Sequence, residues 1–167
     1  LTVSNQVAIG NRPTWLVTAR EDGPLIAPVQ GFTYDNHELL GDFNLITGLP
    51  LGWKLKATSG QLTLLDQRGQ IQGNMELIGG NYLPNHSQTL QQEDIFGVYG
   101  QGRVMLISLT QPAASFKSSS QQAVYALVPL KNNSWLQLSL PTNPGSAKAA
   151  FQLARNIAQT TIVFTKD

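Results

Sequence analysis

The chain has no cysteine at all. That absence excludes disulfides, zinc ribbons, thiol catalysis and iron–sulfur clusters in one stroke. Charge is scarce too, at 13% of residues, about half the usual share. Eleven basic residues stand against ten acidic ones, for a net charge of +1. A nucleic-acid binder needs a clustered cationic face to displace counterions from phosphate. Here Lys54 and Lys56 form the one close basic pair, which argues against nucleic acid. No run reaches the roughly 20 apolar residues of a membrane-spanning helix, and no signal peptide is visible. The chain begins at Leu1 rather than methionine, as expected of a trimmed or mature form. Histidine occurs only twice, at His37 and His86, which leaves little material for acid–base chemistry.

What is present is a chain of 167 residues, enough for one domain with a sizeable core. Its polarity comes from Gln, Asn, Ser and Thr rather than from charge. Apolar runs recur between turn signals at the spacing of short strands. Residues 14–19 read as a strand, followed by the Glu21–Pro24 turn and a second run, Leu25 to Val29. Pro28 confines that run to an edge. Residues 42–46 are a possible third strand. Trp53, Leu55 and Ala57 alternate with Lys54 and Lys56, the two-residue period of a half-buried strand. Residues 61–66 and 71–78 flank a turn at Gln67–Gln70. Residues 103–109 are apolar on both faces, the mark of an interior strand. Residues 123–130 and 134–140 flank a hairpin turn at Lys131–Asn133. One helix is clear: Asn143 reads as its cap and Pro144 as its first residue. Ala147, Ala150, Phe151, Ala154 and Ile157 then fall on one face. Residues 160–164 are a β-branched closing strand.

Candidates for chemistry are few. His86 and Ser87 are adjacent in Pro84-Asn85-His86-Ser87. A hydrolytic serine needs a base in reach and a third group to orient it, and no GxSxG elbow occurs. The same stretch reads as a helix start, with Asn85 as cap and Gln88 closing a capping box. In that reading Leu90 is the buried anchor of a short helix, and Glu93 and Asp94 form its solvated face. A contact to a ligand or partner is the remaining alternative. Asp35, His37, Glu38 and Asp42 gather carboxylates and an imidazole, but match neither HExxH nor a calcium loop. Gly97, Gly100 and Gly102 superficially match a phosphate-binding loop, yet no Lys-Ser/Thr follows and a strand, not a helix, comes next. Trp15, Trp53 and Trp135 fall on predicted strands. Core anchoring is the default for each, and an exposed platform for sugar or peptide is the alternative.

Two phrases carry a resemblance. Pro84 to Ser87 (PNHS) and Pro112 to Ser115 (PAAS) resemble a domain of Gram-positive bacteria. That domain recurs in uncharacterised exported lipoproteins and in the extracytoplasmic portions of antirepressor-type metallopeptidases of the beta-lactam sensor family. The likeness spans residues 77–160. The order of elements around Pro50-Leu51-Gly52-Trp53 is also similar to the photosystem II extrinsic subunit PsbP and its bacterial relatives, which are binding and assembly modules. The metallopeptidase motif HExxH is absent. So is SxxK, because Ser146 is followed by Ala147-Lys148-Ala149. The resemblance therefore carries no catalytic residue across.

The expectation is an α+β domain, a mainly antiparallel twisted sheet with one long C-terminal helix and one short helix, PsbP-like. It forms a single domain over 1–167, with 1–42 as an N-terminal hairpin extension and 43–167 as the core. The expected function is a non-catalytic extracytoplasmic binding or sensory-accessory module of a Gram-positive bacterium. It would be a lipoprotein or the outer domain of a membrane protein. Expected partners are a protein, peptide or cell-envelope component, with no nucleic acid, and with membrane contact only through an anchor outside this chain. No cofactor and no metal are expected. Asn85, His86, Ser87, Pro112 and Ser115 are the expected ligand contacts. The alternatives are a hydrolase of unknown substrate and a structural surface component without a specific ligand.

Overall fold

Strands dominate. A computed structural model describes residues 2–9, 12–18, 31–79, 86–97, 99–109, 121–131 and 133–165. Among these, twelve strands accompany one α-helix and one 3₁₀ turn. β1 (Thr2–Ile9) and β2 (Arg12–Thr18) form an antiparallel hairpin. β3 (Phe32–Leu40), β4 (Phe43–Pro50) and β12 (Ile162–Thr165) form a three-stranded sheet in the order β12-β4-β3. The main sheet has seven strands. They are β5 (Lys54–Thr58), β6 (Gln61–Leu65), β7 (Ile71–Gly79), β8 (His86–Gly97), β9 (Gly100–Leu109), β10 (Gln122–Pro129) and β11 (Ser134–Thr142). Their order is β5-β6-β7-β11-β10-β9-β8, and every pairing is antiparallel. Two meanders, β5 to β7 and β8 to β11, thus meet where β11 lies against β7.

The pleat sorts side chains by face. Ala57, Leu62, Met75, Leu138, Ala126 and Val104 follow one another across the sheet by register, all on its inner face. All but Ala57 are buried. α1 (Ala147–Gln159) covers part of this face with Ala147, Phe151, Ala154, Ile157 and Ala158, the apolar stripe seen in the sequence. Leu45 and Leu49 of β4 and Val163 of β12 join the same core. The outer face is mixed. Met105, Ile107, Ala123 and Leu127 form a smaller buried cluster there, which explains why β9 reads as apolar on both sides. Beside it runs a polar row in which Gln137 donates to Glu76 Oε1 (3.3 Å) and Asn74 Nδ2 donates to Gln61 Oε1 (2.8 Å).

The α+β expectation, with a long and a short helix beside the sheet, is overturned. The chain is mostly β, and α1 is its one α-helix among the described residues, 13 residues long. The expected short helix is strand β8, paired to β9 from His86↔Leu109 to Gly97↔Gly100. Leu90, read as an anchor, is 42% exposed. The physical reason is a competition. An isolated helix of one or two turns is marginal in water, whereas β9 offers a full ladder of backbone partners to whatever lies beside it. Two register shifts, between His86 and Gln88 and between Thr89 and Gln91, break the two-residue period that would have revealed the strand.

Smaller corrections follow the same logic. Residues 14–18 do form a strand, but its partner is β1. The run from Leu25 to Val29 lies outside the described residues. Asn143 does not cap the helix with its side chain. Its Oδ1 accepts instead from the Gln121 backbone N–H at 3.2 Å, and the turn Pro144–Ser146 intervenes before α1. At the far end the Thr160 hydroxyl donates to the Asn156 carbonyl (2.7 Å) and the Thr161 hydroxyl to the Ile157 carbonyl (2.6 Å). These bonds satisfy carbonyls that a helix end leaves without partners.

Candidate functional site: a tryptophan cleft at the sheet end

Of the five ligand contacts expected from sequence, two fall on a described strand. His86 opens β8 and faces Leu109, the last residue of β9. Ser87 follows it. Asn85, Pro112 and Ser115 lie outside the described residues. The start of β8 and the end of β9 thus lie at the same end of the main sheet. The acidic segment runs along β3 into the turn that follows it. His37 pairs with Ile46 and Glu38 with Leu45 on β3, and Asp42 lies in the exposed turn that follows. Glu93 and Asp94 diverge on β8. Glu93 faces inward, where it accepts from Arg155 Nη1 of α1 (3.3 Å), while Asp94 stands opposite Arg103 on the outer face.

The same sheet end carries a cleft of about 200 Å³. It is built as follows. The β4–β5 connection is a turn closed by the Trp53 N–H on the Pro50 carbonyl (3.0 Å), while the Leu51 N–H donates to Gly31 (3.0 Å). Gly52 takes φ +85°, as the third position of a type II turn requires, and a Cβ there would stand 2.9 Å from Gln67 Cβ. The turn delivers Trp53 to the inner face, half-buried against the core. Opposite it lie Leu140, Pro141 and Thr142 of β11, then Ser146 of the turn before α1 and Ala149, Ala150 and Leu153 of α1 itself. Gln72 of β7 completes the lining.

Three polar side chains of this cleft are held. Thr142 is buried, and its hydroxyl lies 3.2 Å from Ser146 Oγ. The Ser146 N–H donates to the Asn143 carbonyl (2.9 Å). Gln72 Nε2 donates to Asp66 Oδ2 (2.8 Å). Asp66 is itself fixed by the turn after β6. Its Oδ1 accepts from the backbone N–H groups of Arg68 (2.8 Å) and Gln70 (3.0 Å). The Gln70 bond is the main reason its carboxyl lies below the ordinary value of 3.8. The Arg68 backbone, the Gln72 amide and the Arg68 charge act in the same direction against a desolvation that opposes them. A carboxylate just behind the cleft thus orients an amide in its wall.

None of the nine lining residues carries a side chain that ionises near neutral pH. Tryptophan, leucine, proline and alanine supply an apolar floor, and two hydroxyls and an amide supply direction. The volume suits one side chain or one small ring, below the size of a typical cofactor site. In the sequence, Trp53 stands out by its alternation with Lys54 and Lys56, with core anchoring as its default. Nothing in the sequence points to Gln72, Thr142, Ser146 or Leu153, which are drawn together by tertiary packing alone. No protein-family model matches the chain, and no curated protein matches it.

Proposed function

We propose that this chain is a non-catalytic binding module that seats an uncharged, largely apolar side chain of a peptide or protein partner in the Trp53 cleft. The observation that carries this reading is the cleft lining: an aromatic wall and an apolar floor with fixed hydroxyl and amide groups, and no ionisable side chain. Aromatic walls with a few oriented polar groups recognise ligands by burial and direction together. The extracytoplasmic, Gram-positive setting belongs to the same proposal. Its supports are the cysteine-free, weakly charged composition and the PNHS and PAAS phrases.

Trp53 reports on its own site. Titration with N-acetyl-leucinamide and N-acetyl-phenylalaninamide is expected to shift the Trp53 indole resonance in proton–nitrogen spectra, with affinities in the ~millimolar range expected of small fragments. Trp53→Ala should abolish binding while leaving the circular dichroism spectrum of the fold intact. Shifts scattered over the surface, or none near Trp53, Ala150 and Leu153, would remove the cleft from consideration. The cellular setting is tested separately, by protease treatment of intact cells producing the full-length protein. Loss of the domain supports an external location, and full protection overturns it.

A further inference from the structure

We propose that the Trp53 cleft selects an indole, whose N–H is read by the side-chain carbonyl oxygen of Gln72, with Asp66 as the residue that positions that amide. This rests on the cleft reading above and names the side chain it favours. The first observation is the place of Gln72 in its strand. Leu64 pairs with Gly73 and Leu65 with Ile71, so Gln72 is the extra residue of a β-bulge. A bulge interrupts the pleat and re-aims a side chain. Here the half-buried Gln72 joins the cleft wall.

The second is the direction of its amide. An ionised carboxylate only accepts, so Asp66 Oδ2 takes the Nε2 end of Gln72 (2.8 Å). Asp66 is held in turn, because its Oδ1 accepts from the Arg68 and Gln70 N–H groups. Gln72 Oε1 is therefore the end of the amide left for a ligand, and it has no partner among the described residues. The third is that both hydroxyls of the cleft find acceptors for their protons inside the protein. Thr142 Oγ1 and Ser146 Oγ each lie 3.4 Å from the Asn143 carbonyl oxygen and 3.2 Å from one another. The cleft thus presents lone pairs to a ligand. Its complement is a neutral, largely apolar side chain that donates and does not accept. Tryptophan's indole is of that kind, whereas phenols, hydroxyls and carboxamides accept as well as donate. Its flat ring also suits stacking against Trp53.

The test follows the Trp53 indole resonance of isotope-labelled protein during titration with three amides. They are N-acetyl-tryptophanamide, its benzothienyl isostere (sulfur in place of the indole N–H) and N-acetyl-phenylalaninamide. The tryptophan amide should bind roughly three- to tenfold more tightly than the isostere, the worth of one neutral hydrogen bond. Gln72→Met keeps the length of the side chain and removes the acceptor, and should bring those two affinities together. In Asp66→Asn the new amide's oxygen stays with the Arg68 and Gln70 N–H groups, so its nitrogen faces Gln72 and turns that amide round. This variant too should lose the preference for the indole. Equal loss for all three amides would instead show Asp66 acting on the fold alone and overturn its positioning role. Equal affinity for the tryptophan amide and its isostere in the wild-type protein, or a preference that survives Gln72→Met, overturns the inference. If the phenylalanine amide still moves the Trp53 resonance in that case, the cleft stands and indole selection alone falls; if none of the three amides moves it, both fall.

Discussion

Gly102 sits where β9 passes under the carbonyl of Leu127 on β10. A Cβ at this position would lie 2.0 Å from that oxygen, and no rotamer change moves a strand carbonyl. Gly102→Ala should therefore cost about 1–3 kcal/mol, read as a lower urea midpoint, whereas Gly79→Ala, which meets nothing within 4 Å, should keep or raise the midpoint. Asp66 gives a pH test. Its folded pKa lies below the ordinary 3.8, so its contribution is complete above that value and is lost as pH falls through the depressed one. Asp66→Asn removes the charge and turns an amide N–H toward Gln72. The stability difference between wild type and variant, measured by thermal melting, should be constant near neutrality and shrink at acid pH below 3.8. At this scale the sequence was partly legible. Alternation told which way Trp53 and Lys54 point, because the pleat is a local rule. It could not tell that Gln72 and Ser146 stand beside Trp53, because neither alternation nor capping encodes which distant strand end comes close.

Among the elements, α1 was the easiest to foresee and β8 the hardest. The stripe Ala147, Phe151, Ala154, Ile157 has helical spacing and needs no knowledge of its partner. Phe151 is 4% exposed, and Phe151→Ala should destabilise the fold by about 3–5 kcal/mol in urea titrations, while Lys148→Ala on the exposed side should change little. β8 carries a helix-start signal in PNHSQ and a strand pattern broken by two bulges. Its structure is decided by β9, a neighbour that local reading does not see. The bridge from Glu93 to Arg155 ties this strand to α1, but both side chains are over a third exposed. Glu93→Gln should therefore cost no more than about 1 kcal/mol, and the difference should fade in high salt.

On the scale of the molecule, one core joins both larger sheets. Leu45 of the three-stranded sheet and Leu138 of the seven-stranded sheet belong to a single cluster that includes the apolar face of α1. Leu45→Ala and Leu138→Ala should each lower stability by about 2–5 kcal/mol. Intrinsic fluorescence and far-ultraviolet dichroism should still report the same midpoint for each variant. Two separate transitions would show that the sheets unfold independently. The strand-rich meanders were visible as regularly spaced apolar runs; the junction of β7 with β11 was not, because it joins segments with no shared local signal. The pairing of β12 with β4, Ile162 opposite Ile46, has a consequence during biosynthesis. β4 leaves the ribosome early and waits for a strand that is made after every other described element. Through that interval one edge of β4 is open beside Leu45 and Leu49, so the nascent polypeptide, more than the finished domain, is the form exposed to aggregation.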